Sequence, residues 1–143
     1  MQYSRQFLQT ELMRDEGAKT QAYQDSLGYW TIGVGHLLGR TQRMSVLTPP
    51  ELEALLAWDI KAAELALDSI LPEWRDLDDV RQRALVNMAF NLGYRLHGFT
   101  KFLTSVRAKD WKNAAAEMML SSWAVQVGKR AERLHKMIET GEV

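Results

Sequence analysis

Hydrophobic residues recur at helical spacing over most of the chain. The period of 3.6 residues is clearest in the segment 49–70, where one apolar face continues for roughly six turns. Before it, Thr48-Pro49-Pro50-Glu51 has the form of a capping box, and Leu71-Pro72 ends the pattern. The pattern therefore predicts one long helix over 49–70. It also predicts shorter helices at 4–15, 79–92, 100–107, 110–120 and 129–138.

The helical period disappears between Ala18 and Gly35. Aromatic and β-branched residues alternate there with Asp, Ser and Gly, which is typical of short strands joined by tight turns. We expect a small hairpin sheet with its turn at Ser26–Leu27–Gly28. The whole pattern predicts a mostly helical α+β protein with a small sheet, a long connecting helix and a cluster of shorter helices.

Composition and charge narrow the class of protein. A chain of 143 residues with 46% hydrophobic residues fits one compact domain, and without Cys its stability must come from packing. The net charge is zero, but residues 1–71 carry 6 Lys/Arg against 9 Asp/Glu, and residues 72–143 carry 12 against 9. The second half is therefore the better place for an anionic polymer. No run of five or six like charges occurs, which argues against a nucleic-acid partner.

The first seventeen residues carry charges and Gln where a secretory signal needs an apolar stretch of roughly 7 to 15 residues. No segment approaches the roughly 18 apolar residues of a membrane span. We therefore expect no signal peptide, synthesis in the cytoplasm and no stable membrane insertion. A monomer is the default expectation.

Three polar residues in the first third suggest glycoside hydrolysis, which needs a proton donor for the leaving oxygen and a group that activates water. Glu16 would end the first helix, where the helix dipole favours a protonated carboxyl, so it is the better candidate for the acid. Asp25, beside a glycine turn, would stay ionised, and the Thr31 hydroxyl could hold the water. On these three residue types alone, an ordinary solvated loop is the better explanation, because such a set occurs by chance in many loops.

The surrounding letters make the pattern more specific. The segment from Glu16 to His36, EGAKTQAYQDSLGYWTIGVGH, closely resembles the catalytic segment of the T-even phage lysozyme family, glycoside hydrolase family 24. Residues 78–93 resemble the family's central buried helix and residues 98–100 the turn after it. The resemblance to the family continues further along the chain at Trp111, Trp123 and residues 129–131. The resemblance thus covers most of the chain, in order.

The resemblance implies a lysozyme-like, two-lobed fold in which residues 1–143 form a single domain. The N-terminal lobe would comprise about 14–58, and the helix over about 49–70 would connect it to the other lobe. The C-terminal helical lobe would comprise about 72–143 together with helix 4–15.

The same resemblance implies that Glu16 is the general acid, Asp25 the base or charge stabiliser, and Thr31 the residue that positions water. The protein would be a muramidase, or endolysin, that hydrolyses the β-1,4 bond between N-acetylmuramic acid and N-acetylglucosamine in peptidoglycan. No metal and no organic cofactor would take part. Access to the periplasmic wall from the host cytoplasm would need a separate holin pore or a delivery particle. The alternative is a catalytically silent peptidoglycan-binding or scaffold module with the same fold.

Four further residues are expected to contact the glycan strand: Leu37, Phe90, Phe102 and Glu117. Two of them depart from the family pattern, because Phe102 stands where relatives can carry a small polar residue and Glu117 where an Asn is expected. Aromatic side chains at helical positions are more often buried than stacked on sugars. We therefore expect at least three of Trp58, Trp74, Trp111 and Trp123 in the core.

Supporting roles are expected for three charged residues. His36 has no second His or Cys at metal-ligand spacing, so a structural role is the better interpretation. The resemblance implies that its partner is Asp59 on the long helix. Arg130 would by default lie on a solvated helix face, but the resemblance makes it a partner of Glu16.

Overall fold

A computed structural model of the chain describes residues 2–24, 30–39 and 47–143, and of residues 20–22, 24, 30 and 37–39 it describes the backbone. The expected turn at Ser26–Leu27–Gly28 and the candidate Asp25 lie outside the described residues.

The described residues form seven α-helices and one small sheet, which confirms the mostly helical α+β class. The helices are α1 (Arg5–Glu16), α2 (Pro49–Ile70), α3 (Asp79–Leu92), α4 (Thr100–Arg107), α5 (Trp111–Met119), α6 (Ser122–Val127) and α7 (Lys129–Thr140). Two short 3₁₀ helices, Pro72–Asp76 and Gly93–Gly98, flank α3. Helix α6 was not predicted, because six residues are too few to show a helical period.

Local capping explains where the helices begin. At α2, the Thr48 amide donates to Glu51 Oε1 over 3.1 Å and the Glu51 amide donates to Thr48 Oγ1 over 3.3 Å. Hydrogen bonding of the Glu51 carboxyl to the Thr48 side chain, and next to the Thr48 amide, holds the pKa of that carboxyl below its ordinary value. The predicted capping box is therefore confirmed. The side chains of Asp78, Asp110 and Ser121 each accept a hydrogen bond from a backbone amide in the first turn and so cap α3, α5 and α6.

The sheet has three antiparallel strands in the order β1 (Lys19–Gln24), β2 (Trp30–Gly33) and β3 (His36–Gly39). Gln24 pairs with Trp30 across β1 and β2, and Ile32 pairs with His36 across β2 and β3. The first two strands agree with the predicted hairpin. The third strand was not predicted, because the four residues His-Leu-Leu-Gly show no alternation of polar and apolar positions.

The chain divides into two compact units, one made of residues 1–4 and 63–143 and the other of residues 5–62, with the boundary inside α2. In the larger unit α3 is central, since residues 82–89 are all buried. Its largest fully buried side chains include Trp74, Leu85, Met88, Phe102 and Met118. Among the described residues of the smaller unit, the buried apolar side chains are Leu8, Leu12, Ile32, Val34, Leu56 and Ile60. The assignment of residues to two lobes stays a prediction.

The tryptophans correct one expectation. Trp74 and Trp123 are buried, with 0% and 4% exposure, but Trp111 is only partly buried and Trp58 is 74% exposed. Trp58 lies off the buried stripe of α2, which runs through Leu56, Ile60, Ala63 and Leu67. Helical spacing identifies that stripe, but it does not show that a large aromatic residue beside it must turn inward.

Candidate functional site

Glu16 is the last residue of α1, as the sequence predicts. The helix ends because Gly17 adopts a left-handed conformation (φ 75°), and its amide donates to the Met13 carbonyl over 2.9 Å. Glu16 is partly exposed, and its carboxylate lies directly against Gly35 in the Val34–Gly35 turn that joins β2 to β3. The structure thus brings the candidate acid to one end of the small sheet.

Thr31 lies in the middle strand of that sheet, between Tyr23 of β1 and Leu37 of β3. It is 5% exposed, so its side chain has little freedom to move. Asp25 lies outside the described residues, directly after Gln24 at the end of β1. Glu16 and Thr31 belong to the same compact unit. A catalytic role for the three residues stays a prediction.

The contact expected between His36 and Asp59 is present. His36 Nδ1 lies 2.7 Å from Asp59 Oδ2 and 2.9 Å from Oδ1, and the two side chains are 32% and 19% exposed. Burial raises the pKa of the Asp59 carboxyl above its ordinary value, and the hydrogen bond and charge of His36 oppose that rise. Because His36 begins β3 and Asp59 lies on α2, the pair ties the sheet to the long helix within the smaller unit.

Arg130, near the start of α7, is 6% exposed and binds Asn87 of α3. Its Nε donates to Asn87 Oδ1 over 2.9 Å and its Nη2 to the Asn87 carbonyl over 3.3 Å. A solvated face is therefore excluded for Arg130, and its pairing with Glu16 stays a prediction. Asn87 was not predicted as a partner, although an Asn within the apolar run of a buried helix is a usable signal, since buried amides need partners.

Of the expected glycan contacts, Phe90 is partly exposed near the end of α3, and the side chain of Leu37 is outside the description. Phe102 is 1% exposed and meets Phe99 edge-on, with ring centroids 6.5 Å apart. The ring is almost fully enclosed, although Phe102 is among the residues that line the narrower of two grooves in the larger unit, and its contact with a glycan strand stays a prediction.

Glu117 on α5 is partly exposed and lines two open grooves of the larger unit. The wider groove holds about 420 Å³ and is lined by Thr100, Lys101, Thr104, Ser105, Asn113 and Glu117. These side chains are polar hydrogen-bonding groups, which suits a hydroxyl-rich ligand. Within the part of the chain that the structure describes, no three His, Cys, Asp or Glu side chains form a group that could hold a metal ion. None of the described helices combines the length and hydropathy that a membrane span requires.

Comparison with known proteins places these residues in a family context. The family model described as phage lysozyme matches residues 13–137. The chain is 31% identical over 156 residues to probable T4-type lysozyme 1 of Dictyostelium discoideum, and the match covers 91% of this chain and 92% of that protein. It is 32% identical over 116 residues to the endolysin of Salmonella phage P22, covering 78% and 77%. A third relative is the pre-baseplate central spike protein Gp5 of Enterobacteria phage T4, with 33% identity over 159 residues, 92% of this chain and 27% of that protein.

Proposed function

This chain belongs to the T4-type phage lysozyme family, and from that premise we propose that it is a muramidase acting on bacterial peptidoglycan. Family membership supports a glycosidase activity in general. The bond that is cleaved would be the β-1,4 link between N-acetylmuramic acid and N-acetylglucosamine, and the occasion would be degradation of the host wall. The observation that carries it is that the family match contains the whole set Glu16, Asp25 and Thr31, with Glu16 and Thr31 on one small unit.

In the proposed reaction Glu16 donates its proton to the glycosidic oxygen as the bond from that oxygen to the anomeric carbon breaks. Asp25 accepts a proton from a water molecule, and the oxygen of that water bonds to the anomeric carbon. Configuration would invert if the two carboxyls stand roughly 6.5 to 9.5 Å apart.

Thr31 suits the task of holding the water. It is paired on both sides in the middle strand and is 5% exposed, so the position of its hydroxyl is set by the sheet rather than by a mobile loop. Fixed geometry of this kind is what makes a bound water more reactive than a bulk one. Removal of the hydroxyl in Thr31→Val would therefore lower turnover more than stability.

Two relatives suggest how such an enzyme could reach the wall. One is an endolysin, which in this proposal corresponds to release through a separate holin pore, and the other is a spike protein of a phage particle. The chain covers 77% of the P22 endolysin and 27% of Gp5, and two further relatives are also endolysins, which supports the endolysin role. The excess of three positive charges in residues 72–143 supports attraction to an anionic wall polymer.

The experiment compares wild type, Glu16→Gln and a control, Glu53→Gln, whose carboxylate is exposed on α2. Clearing of outer-membrane-permeabilised Gram-negative cells is followed at low and moderate salt, and the released fragments are analysed for new N-acetylmuramic acid reducing ends. Loss of a general acid should lower the rate by roughly 10² to 10⁴, whereas the control should clear like wild type. Retained clearing by folded Glu16→Gln would refute the assignment. A wild type that binds the wall without releasing fragments would establish the silent module instead.

A further inference from the structure

The turn between β2 and β3 lies so close to the Glu16 carboxylate that a side chain on residue 35 would not fit between them. A β-carbon built on Gly35 would lie 2.6 Å from Glu16 Oε2, 3.1 Å from its Cδ and 3.3 Å from its Cβ. All three of the nearest atoms belong to Glu16. Carbon and oxygen atoms that are not bonded to each other do not approach to 2.6 Å without a steep repulsion. The carboxylate therefore occupies space that is available only because residue 35 has no side chain.

A second glycine of the same turn region has different neighbours. Gly33 has almost the same backbone torsion, φ 68° against 70° for Gly35. A β-carbon there would meet the ends of leucine side chains, Leu55 Cδ2 at 3.2 Å and Leu52 Cδ1 at 3.3 Å. These atoms are the ends of flexible side chains, and contacts of 3.2 and 3.3 Å require them to shift by a few tenths of an ångström. The two glycines thus share the backbone requirement, but only one of them leaves room for a carboxylate.

We propose that Gly35 is a positioning residue for Glu16: its lack of a side chain lets the turn support the carboxylate from one side and so limits the directions in which the acid can point. This inference rests on the proposed function, because it takes Glu16 to be the proton donor. A general acid must lie within hydrogen-bond reach of the leaving oxygen, and a displacement of about 1 Å can lower a rate by roughly 10²-fold.

A turn that supports the Glu16 carboxylate must itself be held in place, and this turn is. Ile32 and His36 pair on either side of it, and His36 Nδ1 binds both carboxylate oxygens of Asp59 on α2. Gly35 is thus adjacent to a residue tied to the long helix. A rigid turn with an added methyl group would push Glu16 aside instead of yielding to it.

The kinetic test compares Gly35→Ala with Gly33→Ala, which imposes the same left-handed strain without approaching Glu16. Initial rates on purified peptidoglycan at saturating and limiting concentrations separate kcat from KM. For Gly35→Ala we expect kcat to fall by roughly 10²-fold with KM changed by no more than about threefold, because the defect affects proton donation and not glycan binding. Gly33→Ala should keep kcat within about threefold of wild type. Equal losses of kcat in the two folded variants would overturn the inference.

A stability cycle tests the contact without turnover. The unfolding equilibrium constant in urea is measured for wild type, Gly35→Ala, Glu16→Ala and the double variant. If the added methyl group clashes with the carboxylate, Gly35→Ala should raise this constant at least about fivefold more when Glu16 is present than when residue 16 is Ala. Equal effects in both backgrounds would overturn the inference.

Two remaining outcomes also decide whether Gly35 makes room for Glu16. If Gly35→Ala does not fold, restoration of folding by the added Glu16→Ala supports the contact, and its failure to restore folding refutes it. If wild type has no activity, the proposed function fails while the stability cycle still shows whether Gly35 makes room for Glu16. The two failures are therefore distinguishable.

Discussion

Arg81 links three elements of the larger unit, and its removal should destabilise the protein strongly. Its Nε donates to the Ile138 carbonyl over 2.7 Å and its Nη2 to the Glu139 carbonyl over 3.0 Å. Both carbonyls lie in the last turn of α7, where a helix leaves acceptors without partners and where its dipole favours a cation. The guanidinium also lies 4.2 Å from the centre of the Trp111 ring.

The expected cost of Arg81→Met follows from these contacts. Hydrogen bonds from a charged donor contribute about 1.5 kcal/mol or more each, and the cation–π contact about 0.5 to 1 kcal/mol. The ion pair with Asp78 adds little, since the Asp78 side chain is 41% exposed. Methionine retains an apolar side chain in place of the arginine methylene groups, so the substitution removes mainly the interactions of the guanidinium group. Allowing for non-additivity, we expect about 2 to 4 kcal/mol. For a chain of this size that lowers Tm by about 10 °C.

Arg75→Met is a matched control. Arg75 also binds a carboxylate, with its Nε 2.9 Å from Asp68 Oδ1, and lies 4.5 Å from the centre of the Trp74 ring. Its side chain is 48% exposed against 13% for Arg81. Urea unfolding should therefore show a cost of about 1 kcal/mol or less. If the two substitutions cost the same amount, the argument from capped carbonyls is refuted.

Two further predictions concern pH and burial. The raised pKa of Asp59 means that, between its ordinary and its folded pKa, the folded state binds more protons than the unfolded chain. The contribution of Asp59 to stability is therefore greatest below this window and falls as pH rises through it. Urea unfolding of wild type and Asp59→Asn is compared from about pH 3 to about pH 5.5, below the ordinary titration range of histidine. Relative to the variant, the free energy of unfolding of wild type should fall as pH rises. A contribution that grew with pH would mean that attraction to His36 outweighs burial. Separately, Trp74→Ala should cost about 3 to 5 kcal/mol because Trp74 is fully buried, whereas Trp58→Ala at an exposed site should change the free energy of unfolding by about 0.5 kcal/mol or less. Similar losses in the two tryptophan variants would contradict the burial argument.

The sequence predicted the helices that local signals define. The bounds expected for the helices at 49–70, 79–92 and 100–107 agree with α2, α3 and α4. Prolines, glycines and capping side chains mark those ends, and these act within a few residues of one another. Helix α6 and strand β3 are six and four residues long, too short for a period to be visible, and their conformation depends on neighbours distant in sequence.

The candidate site likewise contains features that the local sequence could predict and features that it could not. The position of Glu16 at a helix end could be predicted because Gly17 follows it, and the contact of His36 with Asp59 could be expected only from resemblance. The partnership of Arg130 with Asn87 joins residues 43 positions apart, and no local pattern reports it. Residue type shows that a buried amide or guanidinium needs a partner, but the fold decides which one it has.

Glycines show most clearly what a sequence cannot distinguish. In the motif TIGVGH, Gly33 and Gly35 are the same letter with nearly the same torsion, and a substitution table would treat them alike. Their surroundings separate them, because one faces leucine methyl groups and the other faces the carboxylate of Glu16. Backbone strain predicts similar stability losses for alanine at either position. A large loss of kcat confined to position 35 would therefore point to the space that Glu16 occupies, which is why this pair of variants tests the site and not the turn.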